Sequence, residues 1–180
     1  MRVVALGSIL MSLIGVPVLS NAQDNAELGT LVAADQRPRT GNTANVDWAR
    51  VATEDTTRRI RVLDLLHSAK VRTPTDYYNA ALIFQHGLAV EDIRLAYSLA
   101  TVAYALDPIM HDAKWLSAAA WDRMMMMQGR PQWYGTQFVR HDKEPFELYV
   151  VDETAVTDED RRAFGVPTLP ESRAKAASMK

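Results

Sequence analysis

Apolar residues recur at helical spacing along most of the chain. Asp47 is a good N-cap, and Trp48, Val51, Ala52, Ile60, Leu63 and Leu66 then predict a helix running to about Ser68. Glu54–Arg58 and Asp55–Arg59 are i,i+4 pairs on it, acid first, the favoured order. Upstream, Glu27 to Gln36 reads as a short helix with Leu28, Leu31 and Val32 on one side. Arg37-Pro38-Arg39-Thr40-Gly41-Asn42 breaks it, so 37–45 reads as a loop. Thr73-Pro74-Thr75-Asp76 starts the next helix, with Pro where a missing N–H costs nothing. Tyr77 to Phe84 is apolar nearly all round, which makes this helix central. It stops at Gln85-His86-Gly87, with Gly87 a natural C′ residue.

A following helix opens with Glu91 and Asp92, where acids suit the helix dipole, and ends at Asp107-Pro108. Its Ala96, Ala100 and Ala103 share a face that admits a close neighbour. Another helix runs from about His111 to Gln128, stopped by Gly129 and Pro131. The pattern then changes. Tyr134 to Arg140 and Phe146 to Asp152 are rich in aromatic and β-branched residues, and the polar stretch 141–145 between them reads as a hairpin loop. Thr157 caps a short helical turn, and Thr168-x-x-Glu171 is a capping box for a last helix. The fold class expected is mainly α: antiparallel helical hairpins with a small C-terminal β-hairpin.

The N-terminus reads differently. Arg2 supplies a positive start, no charge appears from Val3 to Leu19, and Ser20-Asn21-Ala22 places small residues before a cut ahead of Gln23. That is the layout of a cleavable secretory signal. The chain therefore divides into a signal at 1–22, a polar segment at 23–45 and a helical domain at 46–180. A periplasmic or secreted location follows, with no stable membrane insertion after cleavage. The net charge of −2 and the lack of a basic stripe argue against a nucleic-acid partner. With no Cys, thiol catalysis, zinc–thiolate sites and disulfides are excluded.

Two resemblances rest on short phrases. Ala80, Gly87 and Ala103-Tyr104-Ala105-Leu106-Asp107-Pro108 resemble a tetratricopeptide-type or Sel1-like helical hairpin, which implies a helix pair over about 74–129 and not a repeat array. Phe84-Gln85-His86-Gly87, Trp121-Asp122-Arg123 and Pro131-Gln132-Trp133-Tyr134-Gly135-Thr136-Gln137 resemble an uncharacterised bacterial domain family marked by a Tyr-Gly-Thr-Gln motif. The Asp35-Gln36 pair and Arg161/Arg162 before Gly165 fit that family too. This second resemblance implies fold and boundaries, and no activity.

The polar residues inside apolar helices are where chemistry is to be sought. Asp122 shares a stripe with Trp115, Ala119 and Met126, so it points inward. A buried carboxylate needs a partner or stays protonated; it is either a structural anchor or a general acid or base. His86 at a helix end is either a capping residue or, beside Gln85, a proton-transfer or ligand-binding group. In the Tyr134-to-Gln137 phrase, Gly135 marks a bulge or a close backbone approach. Met124 to Met127 suggests Cu(I), but only Met124 and Met127 share a face, and core filling explains the run better. No nucleotide-binding or nucleophile-elbow motif is present and no cofactor is implied.

Three functional readings remain open from the residues. The first is an exported, non-catalytic module binding a protein, a peptide or an envelope component, with Gln85, His86, Asp122, Arg123, Tyr134 and Gln137 as the binding residues. The second is a small hydrolase or transferase built on His86, Asp122 and Tyr134. The third is a copper carrier using Met124, Met127 and a His.

Overall fold

The computed structural model describes residues 22–142 and 144–179, so residues 1–21, which carry nearly all of the expected export signal, lie outside the described part. Among the described residues, seven α-helices and a two-stranded antiparallel sheet make up a mainly helical fold. Helix α1 is Ala26–Gln36, and its N-cap Asn25 accepts from the N–H groups of Glu27 and Leu28. A single 3-10 turn, Arg37–Arg39, ends it. Helix α2 is Trp48–His67, capped by Asp47. Helix α3, Pro74–Gln85, starts in a reciprocal capping box between Thr73 and Asp76. The buried Asp76 carboxylate also accepts from the N–H groups of Asn25 and Arg72, which ties the start of α1 to the start of α3.

Helices α4, Val90–Leu106, and α5, His111–Met127, complete two successive helical hairpins with α3. Ala96, Ala100 and Ala103 are fully buried, as their shared face predicts, and Ile83, Phe84, Ile93 and Leu116 fill the core beside them. Small side chains let the α4 backbone approach its neighbours, while the large ones supply roughly 1.5–3 kcal/mol each on burial. Leu28 brings α1 into the same core, with Leu31 and Val32 packed against it.

Helix α2 forms where its pattern predicts, but with a different face inward. Val51, Asp55, Arg58, Val62 and Leu65 are buried, whereas Trp48, Ile60 and Leu63 are exposed. The buried seam has regular helical spacing and carries two charged residues in its middle. A hydrophobic stripe drawn from apolar residues alone skips them and rotates the helix. The pairing shifts accordingly: Glu54 does pair with Arg58 at 3.6 Å, but Asp55 takes Arg58 and Arg39 as partners, not Arg59.

The sheet is shorter than the sequence suggests. Strands β1, Phe138–Val139, and β2, Glu147–Leu148, pair with Phe138 opposite Leu148 and Val139 opposite Glu147. Helix α6, Asp158–Ala163, has a capping box between Thr157 and Asp160. Helix α7, Leu169–Ser178, has one between Thr168 and Glu171 and packs against β2. Among the described residues no helix is long and apolar enough to cross a membrane.

Candidate functional site

The polar residues singled out in the sequence fall into two separate centres, one on each side of the α5 C-terminal half. The first is built on Asp122, which α5 holds fully buried. Its Oδ1 accepts from the N–H groups of Trp133 at 2.8 Å and Tyr134 at 2.9 Å. Its Oδ2 accepts from the Thr136 N–H at 3.0 Å and from the Thr136 hydroxyl at 2.9 Å. Burial raises the Asp122 carboxyl above the ordinary aspartate range, and the hydrogen bonds from Tyr134, Thr136 and Trp133 work against that rise. Four donors fill the carboxylate from inside the protein.

The segment wrapped around Asp122 is held from its other edge as well. Arg161, whose side chain is almost wholly buried, donates through Nε to the Tyr134 carbonyl at 3.1 Å and through Nη2 to the Trp133 carbonyl at 2.8 Å. Its remaining charge faces Asp158 at 3.2 Å. Gln132, also fully buried, donates to the carbonyls of Gln137 and Tyr149 and accepts from the Gln137 N–H. The Gln137 side chain donates to the Ala119 carbonyl at 3.2 Å. Backbone N–H groups turned toward a carboxylate, and carbonyls turned toward a guanidinium, cannot also form a strand ladder. For that reason Tyr134–Gln137 is pinned and the two-stranded sheet begins at Phe138, with a lone bridge between Gln132 and Val151 before it. Gly135 adopts φ +86° there, and a Cβ on it would lie 3.0 Å from Leu169 Cδ2. The close approach expected of this glycine is thus to the first residue of α7.

Tyr134 contributes mainly its backbone to this centre. Its ring packs on Phe164 with centroids 5.3 Å apart. Burial, aided by the neighbouring Tyr97 and Asp122, pushes the phenol up to about 12. It therefore keeps its proton at neutral pH. Trp133 stacks obliquely on Trp121 at 4.5 Å, and Trp121 in turn on Tyr97 at 5.4 Å, so an aromatic run bridges the pinned segment to α4.

The second centre surrounds Gly87, where α3 ends and α4 begins. His86 Nδ1 lies 2.9 Å from Oδ2 of Asp35, a fully buried carboxylate from α1. Gln36 donates to the same oxygen at 2.8 Å. Arg39 donates to the Asp35 carbonyl at 2.6 Å and to Asp55 Oδ2 at 2.6 Å, and Arg58 donates to Asp55 Oδ1 at 2.6 Å. Burial pushes the Asp55 carboxyl up, but the hydrogen bonds from Arg39 and Arg58 outweigh it and hold the group below its ordinary range. Arg59 pairs with Asp92 at 3.4 Å. Asp92 packs directly over Gly87, and a Cβ on Gly87 would collide with it. Gly87 stands at C′ as the sequence suggests, yet it is not in the left-handed region. The residue is small because Asp92 needs the space.

Arg123 reaches this centre from α5. It makes one long bond, from Nη2 to the Gly87 carbonyl at 3.5 Å, and its Nε is buried without a hydrogen-bond partner. Arg59 Nη1, Arg58 Nε, Gln85 Oε1 and Asp35 Oδ1 are likewise buried without hydrogen-bond partners. Burial, together with repulsion from Arg39, lowers the Arg123 guanidinium from its ordinary value.

The structure thus places Asp122, Tyr134 and Gln137 together, and His86, Gln85 and Arg123 together. Asp122 and Tyr134 are joined through the Tyr134 N–H, whereas among the described residues His86 hydrogen-bonds to Asp35 and to neither of them. Met124 and Met125 are buried, and Met127 packs against the core. Among the described residues no cluster of three or more His, Asp or Glu side chains is placed to hold a metal ion. Sequence reasoning left Arg39, Asp55, Arg58, Arg59, Asp92 and Gln132 out of the sites. Asp35 and Arg161 entered only through a family resemblance, although both turn out to be central charges. The clue available for Asp55 and Arg58 was their spacing between Val51, Val62 and Leu65. No family model, curated protein or solved structure matches the chain.

Proposed function

We propose that the chain is a non-catalytic binding module of the bacterial cell envelope, exported through a signal at residues 1–22, and that it meets its protein, peptide or envelope partner at the Gly87 centre. The reading rests on one contrast. The Asp122 carboxylate is filled by four internal donors, so it serves the fold. The Gly87 centre has buried donors and two buried acceptors, Gln85 Oε1 and Asp35 Oδ1, left over, and it presents partly exposed edges of His86, Arg39 and Arg59. Side chains with unused hydrogen-bonding capacity at a surface favour recognition, since burying them without a partner costs about 1–3 kcal/mol apiece.

The test is affinity capture from envelope extract with the mature protein, comparing wild type, Arg123→Gln and the exposed-surface control Arg94→Gln. A partner recovered by wild type and by Arg94→Gln, and lost by a folded Arg123→Gln, supports the reading. Equal recovery of the same partners by all three removes the Gly87 centre from it.

A further inference from the structure

We propose that the Gly87 centre binds an oxyanion, a carboxylate or phosphate carried by the ligand, with Arg123 as the principal fork and Arg59 beside it. The inference deepens the binding role assigned to this centre and rests on it.

Four guanidinium groups converge on the junction of α1, α2, α3 and α5: Arg39, Arg58, Arg59 and Arg123. Three of them have carboxylates. Arg39 lies 2.6 Å from Asp55, Arg58 lies 2.6 Å from Asp55 and 3.6 Å from the rim residue Glu54, and Arg59 lies 3.4 Å from Asp92. Asp35 is shared between Arg39 at 3.5 Å, Arg58 at 3.8 Å and His86 at 2.9 Å. Asp35 Oδ2 is taken by His86 and Gln36, while its Oδ1 is buried without a hydrogen bond and faces Arg39 and Arg58 only at the longer ion-pair distances. Arg123 has no carboxylate of the described residues at ion-pair distance, and its one hydrogen bond is the 3.5 Å contact with the Gly87 carbonyl.

A guanidinium that α5 draws into a half-buried position without a counter-charge is expensive to keep, because desolvation penalises the charge and nothing repays it. The neighbouring Arg39 adds repulsion. An oxyanion relieves both. Planar N–H pairs match the oxygens of carboxylate or phosphate, and such charge-assisted forks are the stronger class of hydrogen bond. Gly87 lies between the two, since Arg123 touches the Gly87 carbonyl and Asp92, the partner of Arg59, covers the Gly87 Cα. Arg59 Nη1 and Arg123 Nε are the donors left over on the two sides. An anion on the Arg123 fork would take the place of the long Gly87 contact and face the Asp92 carboxylate on the Arg59 side, while the ion pairs of Asp35 and Asp55 belong to other guanidiniums.

The experiment uses the mature protein with ionic strength held constant by sodium chloride, titrated separately with inorganic phosphate and with succinate. Binding is read from the thermal unfolding midpoint and from the side-chain Nε–Hε resonance of Arg123 by NMR. Wild type is expected to show a saturable rise in midpoint and a shift of that resonance with at least one of the two anions. Phosphate alone assigns a phosphate ligand, and succinate alone a carboxylate. Arg123→Gln is expected to weaken the response roughly tenfold or more, as loss of a charge-assisted pair implies, and Arg94→Gln to leave it unchanged. Arg123→Lys keeps the charge and loses the fork, so an intermediate weakening supports bidentate recognition. Circular dichroism confirms folding of each variant.

No response of wild type to either anion, or equal responses of wild type and Arg123→Gln, overturns the oxyanion assignment. If the envelope partner is still lost by Arg123→Gln in that case, the binding role stands without the anion. If both assays fail, the centre has neither role.

Discussion

At the scale of single residues, two buried aspartates do opposite work with pH. Asp55 is held below its ordinary range by Arg39 and Arg58. A carboxylate with a lowered folded value contributes stability that is complete above the unfolded value and is lost as pH falls through the folded one. The stability of the wild type is therefore expected to fall on acidification below about pH 4, and Asp55→Asn to flatten that acid limb while costing about 3 kcal/mol at neutral pH, where it breaks a buried charge pair. Urea unfolding from pH 2 to 7 checks both. Asp122 is shifted the other way, so its protonation favours the folded state as pH falls toward the ordinary value, before the Asp55 contribution is lost. At neutral pH its main effect is geometric. Asp122→Ala leaves three buried N–H groups and a hydroxyl without their acceptor. At about 1–3 kcal/mol each, the expected loss exceeds about 4 kcal/mol, with Asn milder because one acceptor oxygen remains. Denaturant midpoints of the two variants measure the difference. A loss below about 1 kcal/mol for Asp122→Ala would contradict the structural role.

At the scale of elements, helix ends were the most legible feature of this chain. The capping boxes at Thr73, Thr157 and Thr168 and the N-cap at Asp47 rest on hydrogen bonds between residues three apart, which any reader of the sequence can pair. The inward face of α2 was less legible, because Asp55 and Arg58 are buried by partners on other elements. Tyr134–Gln137, the first part of the strand expected over Tyr134–Arg140, failed as a strand for a related reason. Its β-type composition is real, but Asp122 and Arg161 use the backbone groups that a ladder requires. Gly135 shows the consequence. Gly135→Ala is expected to cost about 2 kcal/mol, from left-handed strain of roughly 1–2 kcal/mol and the Leu169 contact. Gly129→Ala, also at positive φ but with open space around it, should cost only the strain. Thermal unfolding of the pair distinguishes packing from conformational freedom.

At the scale of the whole molecule, a helical body of three packed helices carries a C-terminal layer on one side of α5 and the charged α1–α2 contact on the other. Asp122 and Arg123 are adjacent in sequence and serve these two sides separately, Asp122 fixing the layer and Arg123 facing the charged centre. The export proposal is tested at this scale too. N-terminal sequencing of protein recovered from the envelope fraction is expected to begin at Gln23. Protein that keeps residues 1–22 and remains with the membranes would contradict it.

The sequence by itself determined which segments are helical, where most of them start and stop, that a small hairpin follows the long helices, and that thiol chemistry is impossible. Those properties depend on periodicity and on hydrogen bonds spanning a few residues, so local order suffices to specify them. Tertiary structure alone decided which charges meet across elements. His86 finds Asp35 from 51 positions away, and Arg161 holds the Trp133 carbonyl across 28. Partner choice among buried charges depends on which elements pack together, and many arrangements of the same residues satisfy the same local pattern.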